Sequence, residues 1–287
     1  GANGAYSASG NTSDGIILTA NGAGAQANLL MFGDASVNGN GGHGLNVAGI
    51  NAQQVAVQFV GSANGNAGDG IHVDLSNVTQ SAVELSSTAG GTIDGNGGDG
   101  VHLSLTNSDL SNLTVDGTLV QSLGISGLTI SNNGGDGIDI QTVNSSLGDA
   151  VIQNNTVSQN AGDGISVALS DNSNLSILNN NVWANGGQGI HVTQAANTST
   201  ITIDGNSVIS NAASNITVDL TGTAQSNLHI DNNTVDGNGV VASDSLATQS
   251  PFTDTGMLAA KDSRRRLQRG ADISYRNVSE VPRSGVE

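Results

Sequence analysis

A chain of 287 residues with 41 Gly, 2 Pro and 2% aromatics accommodates either one elongated domain or two globular ones, so length alone does not choose between them. All 7 Lys and Arg lie beyond residue 250, and 19 of the 24 Asp and Glu lie before it, so the body carries −19 and the whole chain −17. Without fixed positive charge the body cannot hold nucleic-acid phosphates by counterion release, nor anionic lipid through a polybasic patch; cations, neutral glycans and basic proteins suit it better.

The apolar share of 36% against 11% charged residues argues for a folded chain rather than a disordered one. No apolar run reaches the ~18 residues of a membrane span. Gly1 onward lacks the basic start and apolar stretch of a signal peptide, which points to a mature or excised chain. The absence of Cys rules out disulfides, thiolate metal sites and Cys nucleophiles, and fits an exported bacterial protein at the cell surface or outside the cell.

Taken in chain order, the body repeats one pattern, V-x-x-N-x-x-D-G-I-x-V. It begins at Ile16 and Leu18, and clear copies are VNGNGGHGLNV (37–47), IDGNGGDGVHL (93–103), ISNNGGDGIDI (130–140), VSQNAGDGISV (157–167) and VWANGGQGIHV (182–192). The apolar residue after the turn glycine, or after Asn215 in its place, is Ile16, Leu45, Ile71, Val101, Ile138, Ile165, Ile190 and Ile216, at spacings of 29, 26, 30, 37, 27, 25 and 26. Two residues on stands a second apolar row from Leu18 to Val218, and a period of two marks a strand with one buried face. Ile152/Val157, Ile177/Val182, Ile203/Val208 and Ile230/Val235 add two short apolar segments per coil, parted by Asn155, Asn180, Asn206 and Asn233. The expectation is three strands per coil of ~27 residues, in eight or nine coils that bury a shared core only by stacking at ~4.8 Å.

Three residues before each turn Asp or its substitute stands Asn: Asn40, Asn66, Asn96, Asn133, Asn160, Asn185 and Asn211. Asn tolerates left-handed backbone geometry, and stacked amides can hydrogen-bond from coil to coil, so this row is expected to be a structural ladder. The 37-residue spacing marks an insertion between Leu103 and Gly124. After Asn238 the pattern stops, which divides the chain into a body, 1–245, and a tail, 246–287, that caps the rod or serves assembly. In the tail, 255–269 could form a short helix and ADISYRNVSEV alternates like a strand.

The G-D-G-I-x-V and N-N-x-V-x-x-N segments resemble right-handed parallel β-helix repeat proteins of the pectate-lyase-like architecture, over about residues 8–240. The resemblance implies an all-β, single-stranded right-handed parallel β-helix. That superfamily includes polysaccharide lyases, hydrolases and epimerases, phage tailspikes, adhesins and surface-layer components, so fold alone leaves function open.

Two rows offer chemistry. The outward position between the apolar rows reads Ile17, Asn46, His72, His102, Asp139, Ser166, His191 and Thr217. His72, His102, Asp139 and His191 are the candidate ligand face, able in principle to hold a divalent metal or to share proton transfer. The turn row offers Asp69, Asp99, Asp136 and Asp163, whose carboxylates on successive coils would sit ~4.8 Å apart and could bridge calcium; the competing role is an Asp that caps its own turn through a backbone N–H. Calcium is the candidate ion, and no other cofactor is expected.

Gly42-His43-Gly44 resembles the Gly-His-Gly signature of polygalacturonases, but His43 stands in the turn-Asp row, and the paired Asp and Arg-Ile-Lys segment of those enzymes are missing. A lyase needs a positive group at the uronate, and the body has no Lys or Arg. The residues therefore favour an extracellular structural or adhesive module over an enzyme. A head-to-tail filament is expected if the basic tail, with Arg264, Arg265, Arg266 and Arg269, docks on a neighbouring acidic rod. The expected partners are further copies, other surface proteins or glycans; nucleic acid is not among them. The alternatives are a carbohydrate-active enzyme, or a glycan- or calcium-binding module without catalysis.

Overall fold

The computed structural model describes residues 6–240 other than 32, 88–89, 116–117, 196, 222–226 and 238, and the backbone of 241–244, 272–276 and 279–281. Among these residues every regular element is a strand, and no helix is long and apolar enough to cross a membrane. The strands form three parallel sheets that run along a solenoid.

The first sheet holds nine strands in chain order: Ile16–Asn21, Leu45–Ile50, Ile71–Ser76, Val101–Thr106, Ile138–Val143, Ile165–Leu169, Ile190–Gln194, Ile216–Leu220 and Val240–Asp244. Nine strands in unbroken succession enclose eight turns of chain, a rod of about 40 Å at ~4.8 Å per turn. The first seven strands each start at the apolar residue that follows the turn glycine, the eighth at Ile216 after Asn215, and like lies over like: Val101 pairs with Ile71 on one side and Ile138 on the other. Ile71, Val73, Val101, Leu103, Ile138 and Ile140 are 0–1% exposed, so the period of two in the sequence is the inward face of this sheet. The second sheet carries Leu85, Ile125, Ile152, Ile177, Ile203 and Ile230 inward, and the third carries Ile93, Ile130, Val157, Val182, Val208 and Val235. Full burial of each such side chain stabilises by about 1.5–3 kcal/mol, and no coil achieves it alone.

The corners explain the asparagines. Between the third and first sheets, the backbone N–H and side-chain Nδ2 of Asn96 both donate to Oδ1 of Asn133, at 3.1 and 2.9 Å, and Asn133 repeats the pair on Asn160 at 3.1 and 2.8 Å. The same double bond links Asn11, Asn40, Asn66 and Asn96, and later Asn160, Asn185 and Asn211. A second such ladder, Asn155, Asn180, Asn206 and Asn233, parts the second and third sheets. From Asn40 onward these amides are buried, and they satisfy corner N–H groups that no strand ladder reaches.

The left-handed backbone expected of the ladder asparagines belongs instead to the residue before each: Gly39, Gly65, Gly95, Asn132, Gln159, Ala184 and Ser210 have φ of 54–66°. One residue turns the chain and the next points its amide inward. The glycine of the D-G-I step answers a different demand. A Cβ on Gly100 would lie 2.5 Å from the carbonyl oxygen of Gly137 and 2.9 Å from Nδ2 of Asn133, so the ladder leaves no room for a side chain there.

The insertion is an antiparallel hairpin, Leu113–Val115 with Thr118–Val120. It packs against Gln54–Ser62 and Gln80–Ser86 of the second sheet, while Val101–Thr106 and Ile138–Val143 pair directly in the first. The sequence places it beside His102 and Asp139, but the fold moves it to another face. In the tail, Asp272–Arg276 pairs in parallel with Asn227–Asp231, and Ser279–Val281 with Thr234–Asp236, so these strands extend the second and third sheets. The expected helix at 255–269 and the basic residues Arg264, Arg265, Arg266 and Arg269 lie outside the described residues.

Candidate functional site

The first sheet and the turn that feeds it position the candidate side chains. The outward row runs in register from Ile17 through Asn46, His72, His102, Asp139, Ser166 and His191 to Thr217, one residue per coil. The sequence predicts that this row faces solvent. In the structure Ile17 is 61% exposed, but Asp139 and Thr217 are buried at 8% and 7%, and the histidines are half-buried. The turn aspartates, three residues upstream on the same coil, lean over the row and cover it: Asp99, for example, reaches His102.

Those aspartates form a ladder of their own. Oδ1 of Asp69 accepts the backbone N–H of Asp99 at 2.7 Å, Asp99 that of Asp136 at 2.7 Å, Asp136 that of Asp163 at 2.6 Å, and Asp163 that of Gln188 at 2.6 Å. The sequence reading has each Asp capping its own turn. The N–H comes instead from the next coil, because parallel stacking brings the equivalent turn within reach. His43 fills its place in this row: its Nδ1 accepts the N–H of Asp69 at 3.0 Å, while its own N–H donates to Asp14. One carboxylate oxygen per Asp is thus tied to the backbone, and Oδ2 turns toward the outward row.

There it meets imidazoles. His72 lies 2.7 Å from Oδ2 of Asp69 through Nδ1 and 3.2 Å from Asp74 through Nε2. Its hydrogen bonds to Asp69 and Asp74 raise its pKa to about 9 against the opposing effect of burial. Nδ1 of His102 sits 3.1 Å from Oδ2 of Asp139 on the next coil and 3.3 Å from Oδ2 of Asp99, and these two carboxylates raise it to about 10. His191 lies 3.3 Å from Asp163 and 3.6 Å from Asp219, and the bond to Asp163 raises its pKa too. Burial pushes Asp69 upward, but the bonds from His72 and from the Asp99 N–H outweigh it and leave the carboxyl below its ordinary value.

The coil of Asp136 lacks a histidine. Burial, with Asp163, Asp99 and Asp139 close by, raises Asp136 to about 6 even though the Asp163 N–H opposes the shift.

His43, His72 and His102 stack, with ring centroids 4.3 and 5.0 Å apart. The fold therefore gathers His72, His102 and Asp139, and sets His191 apart beyond Ser166. Sequence reasoning treats His43 as a mere variant of the Asp row and leaves out Asp74 and Asp219; the outward position two residues along each strand was the signal for both aspartates. Among the described residues, three donor atoms lie within 4.8 Å of one another in two places: His43, Asp69 and His72, and Asp99, His102 and Asp139. Such carboxylate and imidazole sets can share a proton or hold a cation. A separate groove of about 350 Å³, lined by Asn112, Asp149, Asn174 and Thr200 among others, lies on the second sheet beside the insertion.

Comparison with curated proteins and with solved structures returned no match. A family model described as the right handed beta helix region does match, over residues 15–254, and it spans the coils, both asparagine ladders and the aspartate row. The chain belongs to the right-handed β-helix family.

Proposed function

We propose that this chain is the rod of an extracellular or cell-surface module whose work is structural or adhesive. The observation that supports this reading is the ladder construction. Asn40 to Asn211 on one corner and Asn155 to Asn233 on another bond coil to coil without a break, which suits a part that must keep its shape over its length. The acidic body and the tail that holds every Lys and Arg support head-to-tail self-association. Truncation after residue 250 should abolish oligomers in light scattering while the β-rich circular dichroism persists; unchanged assembly would remove self-association from the proposal.

The strip of His72, His102 and Asp139 on the first sheet favours one competing reading, an enzyme or binding module for polysaccharides. Incubation with acidic and neutral polysaccharides, with and without EDTA, separates the two. The structural reading predicts neither turnover nor retention, and turnover that disappears in His102→Ala would replace it with the enzyme.

A further inference from the structure

We infer that Asp99, His102 and Asp139 form a binding site for a divalent transition-metal ion of the Zn²⁺ class. The donor spacing carries the argument. Nδ1 of His102 lies 3.1 Å from Oδ2 of Asp139 and 3.3 Å from Oδ2 of Asp99, and all three atoms fall within 4.8 Å of one another. A tetrahedral ion with ligands at 2.0–2.2 Å separates neighbouring donors by roughly 3.3–3.6 Å, so small shifts admit it. The ion would take the place of the Nδ1 proton, which leaves for solvent.

The supports are already in place. Oδ1 of Asp99 is pinned by the N–H of Asp136 at 2.7 Å, which aims Oδ2 outward; on Asp139 the ligand oxygen Oδ2 itself accepts from Nε2 of Gln141 at 2.8 Å, which orients it and leaves its second lone pair for the ion, and strand register sets it beside His102. The side chains of His102 and Asp99 are 19% and 22% exposed, and on that side water can complete the coordination. Two carboxylates face one imidazole, with Asp136 alongside, in a body that supplies no Lys or Arg to neutralise them. An imidazole nitrogen among three donors suits Zn²⁺, Ni²⁺ or Cu²⁺ and disfavours Ca²⁺, which takes six to eight oxygens.

The neighbouring groups fit less well. In the set of His43, Asp69 and His72, Nδ1 of His43 already accepts the N–H of Asp69, and the 2.7 Å between His72 and Asp69 is a hydrogen bond too short for two ligands of one tetrahedral ion. Around His191 the two carboxylates approach opposite ring nitrogens, at 3.3 and 3.6 Å, and so do not converge on one lone pair.

Isothermal titration of the chelator-stripped full chain with Zn²⁺, and separately with Ca²⁺, tests the site. One Zn²⁺ equivalent that Ca²⁺ does not displace is expected, retained in His191→Ala and weakened at least about 100-fold in His102→Ala and in Asp139→Asn. Thermal melts in parallel should show Zn²⁺ raising the wild-type midpoint but not that of either variant, each of which must first melt cooperatively in EDTA. The use of two variants keeps the test open if one fails to fold. An equivalent that survives both substitutions, equal competition by Ca²⁺, or no binding of Zn²⁺ below millimolar concentration would overturn the site.

Discussion

The corner between the third and first sheets carries two stacked polar rows three residues apart, an inner and an outer one, and they differ in composition. The row from Asn40 to Asn211 is buried and Asn in every coil, whereas the row from Asp14 to Gln188 is half-buried and mixes Asp, His and Gln. Both supply an acceptor to a backbone N–H of an adjacent coil, in opposite directions: Oδ1 of Asn160 serves Asn133 on the coil before it, and Oδ1 of Asp99 serves Asp136 on the coil after it. The inner row must also donate: Nδ2 of Asn133 reaches Oδ1 of Asn160 and the carbonyl of Ile93. Only an amide does both in so small a space, so no substitute appears there. The outer row needs one acceptor and leaves its other oxygen to whatever lies outward, which permits variation and creates the imidazole strip.

The sharpest way to break this contrast is Asn133→Ala. It orphans the N–H of buried Asn96 and one of its two Nδ2 hydrogens, the other still donating to the Ala63 carbonyl, and it removes the donor to Asn160 and Ile93; chemical denaturation should show a loss of about 3–5 kcal/mol. Asp99→Ala removes the acceptor for Asp136 N–H in a wetter setting and should cost about 1–2 kcal/mol by the same measurement; an equal loss in both rows would erase the distinction. Asp136→Asn keeps the acceptor and removes a charge crowded by other carboxylates. Because the folded pKa is raised from 3.8 to about 6, that carboxyl favours folding most below 3.8, and the advantage is lost as pH rises through 6. The variant should therefore be about 1 kcal/mol more stable than wild type at pH 7, after allowance for solvent screening, with no gain at pH 4.

The histidines give a shallower profile. His72 and His102 are raised from 6.5 to about 9 and about 10, so their contribution is full below pH 6.5 and fades as pH rises through those values. Asp14, Asp69 and Asp74 are lowered from 3.8, so theirs is present above that value and fades as pH falls through the folded pKa. Melting temperature should peak between about pH 4 and 6.5 and decline toward pH 10, and His72→Gln with His102→Gln should flatten the alkaline arm. The smallest effect is expected on the outer face of the hairpin: Leu119→Ser, at a side chain 58% exposed, should shift the melting midpoint by no more than the equivalent of about 0.5 kcal/mol.

Much of this was readable in the residues. Spacings of 25 to 30 between Ile16 and Ile216, stretched to 37 across the insertion, locate eight strands of the first sheet to the residue, because a parallel stack must repeat its inward pair in every coil. The Asn row is legible for the same reason. What proved illegible was direction across coils: no spacing reveals that Asp69 serves Asp99 rather than its own turn, or that the residue before Asn133 takes the left-handed backbone. Nor does it show that the insertion at 113–120 leaves the His face, since adjacency in sequence says little about which side of a solenoid a loop occupies.

By itself, then, the sequence determined the coil, its period, its inward residues and the corner amides, because a repeated local pattern can bury its core in only one kind of stack. Tertiary structure alone decided which atoms meet between coils. Nδ1 of His102 lies between carboxylates 3 residues before it and 37 residues after it, a meeting that depends on strand register and on the Asp99 oxygen left over from the backbone ladder.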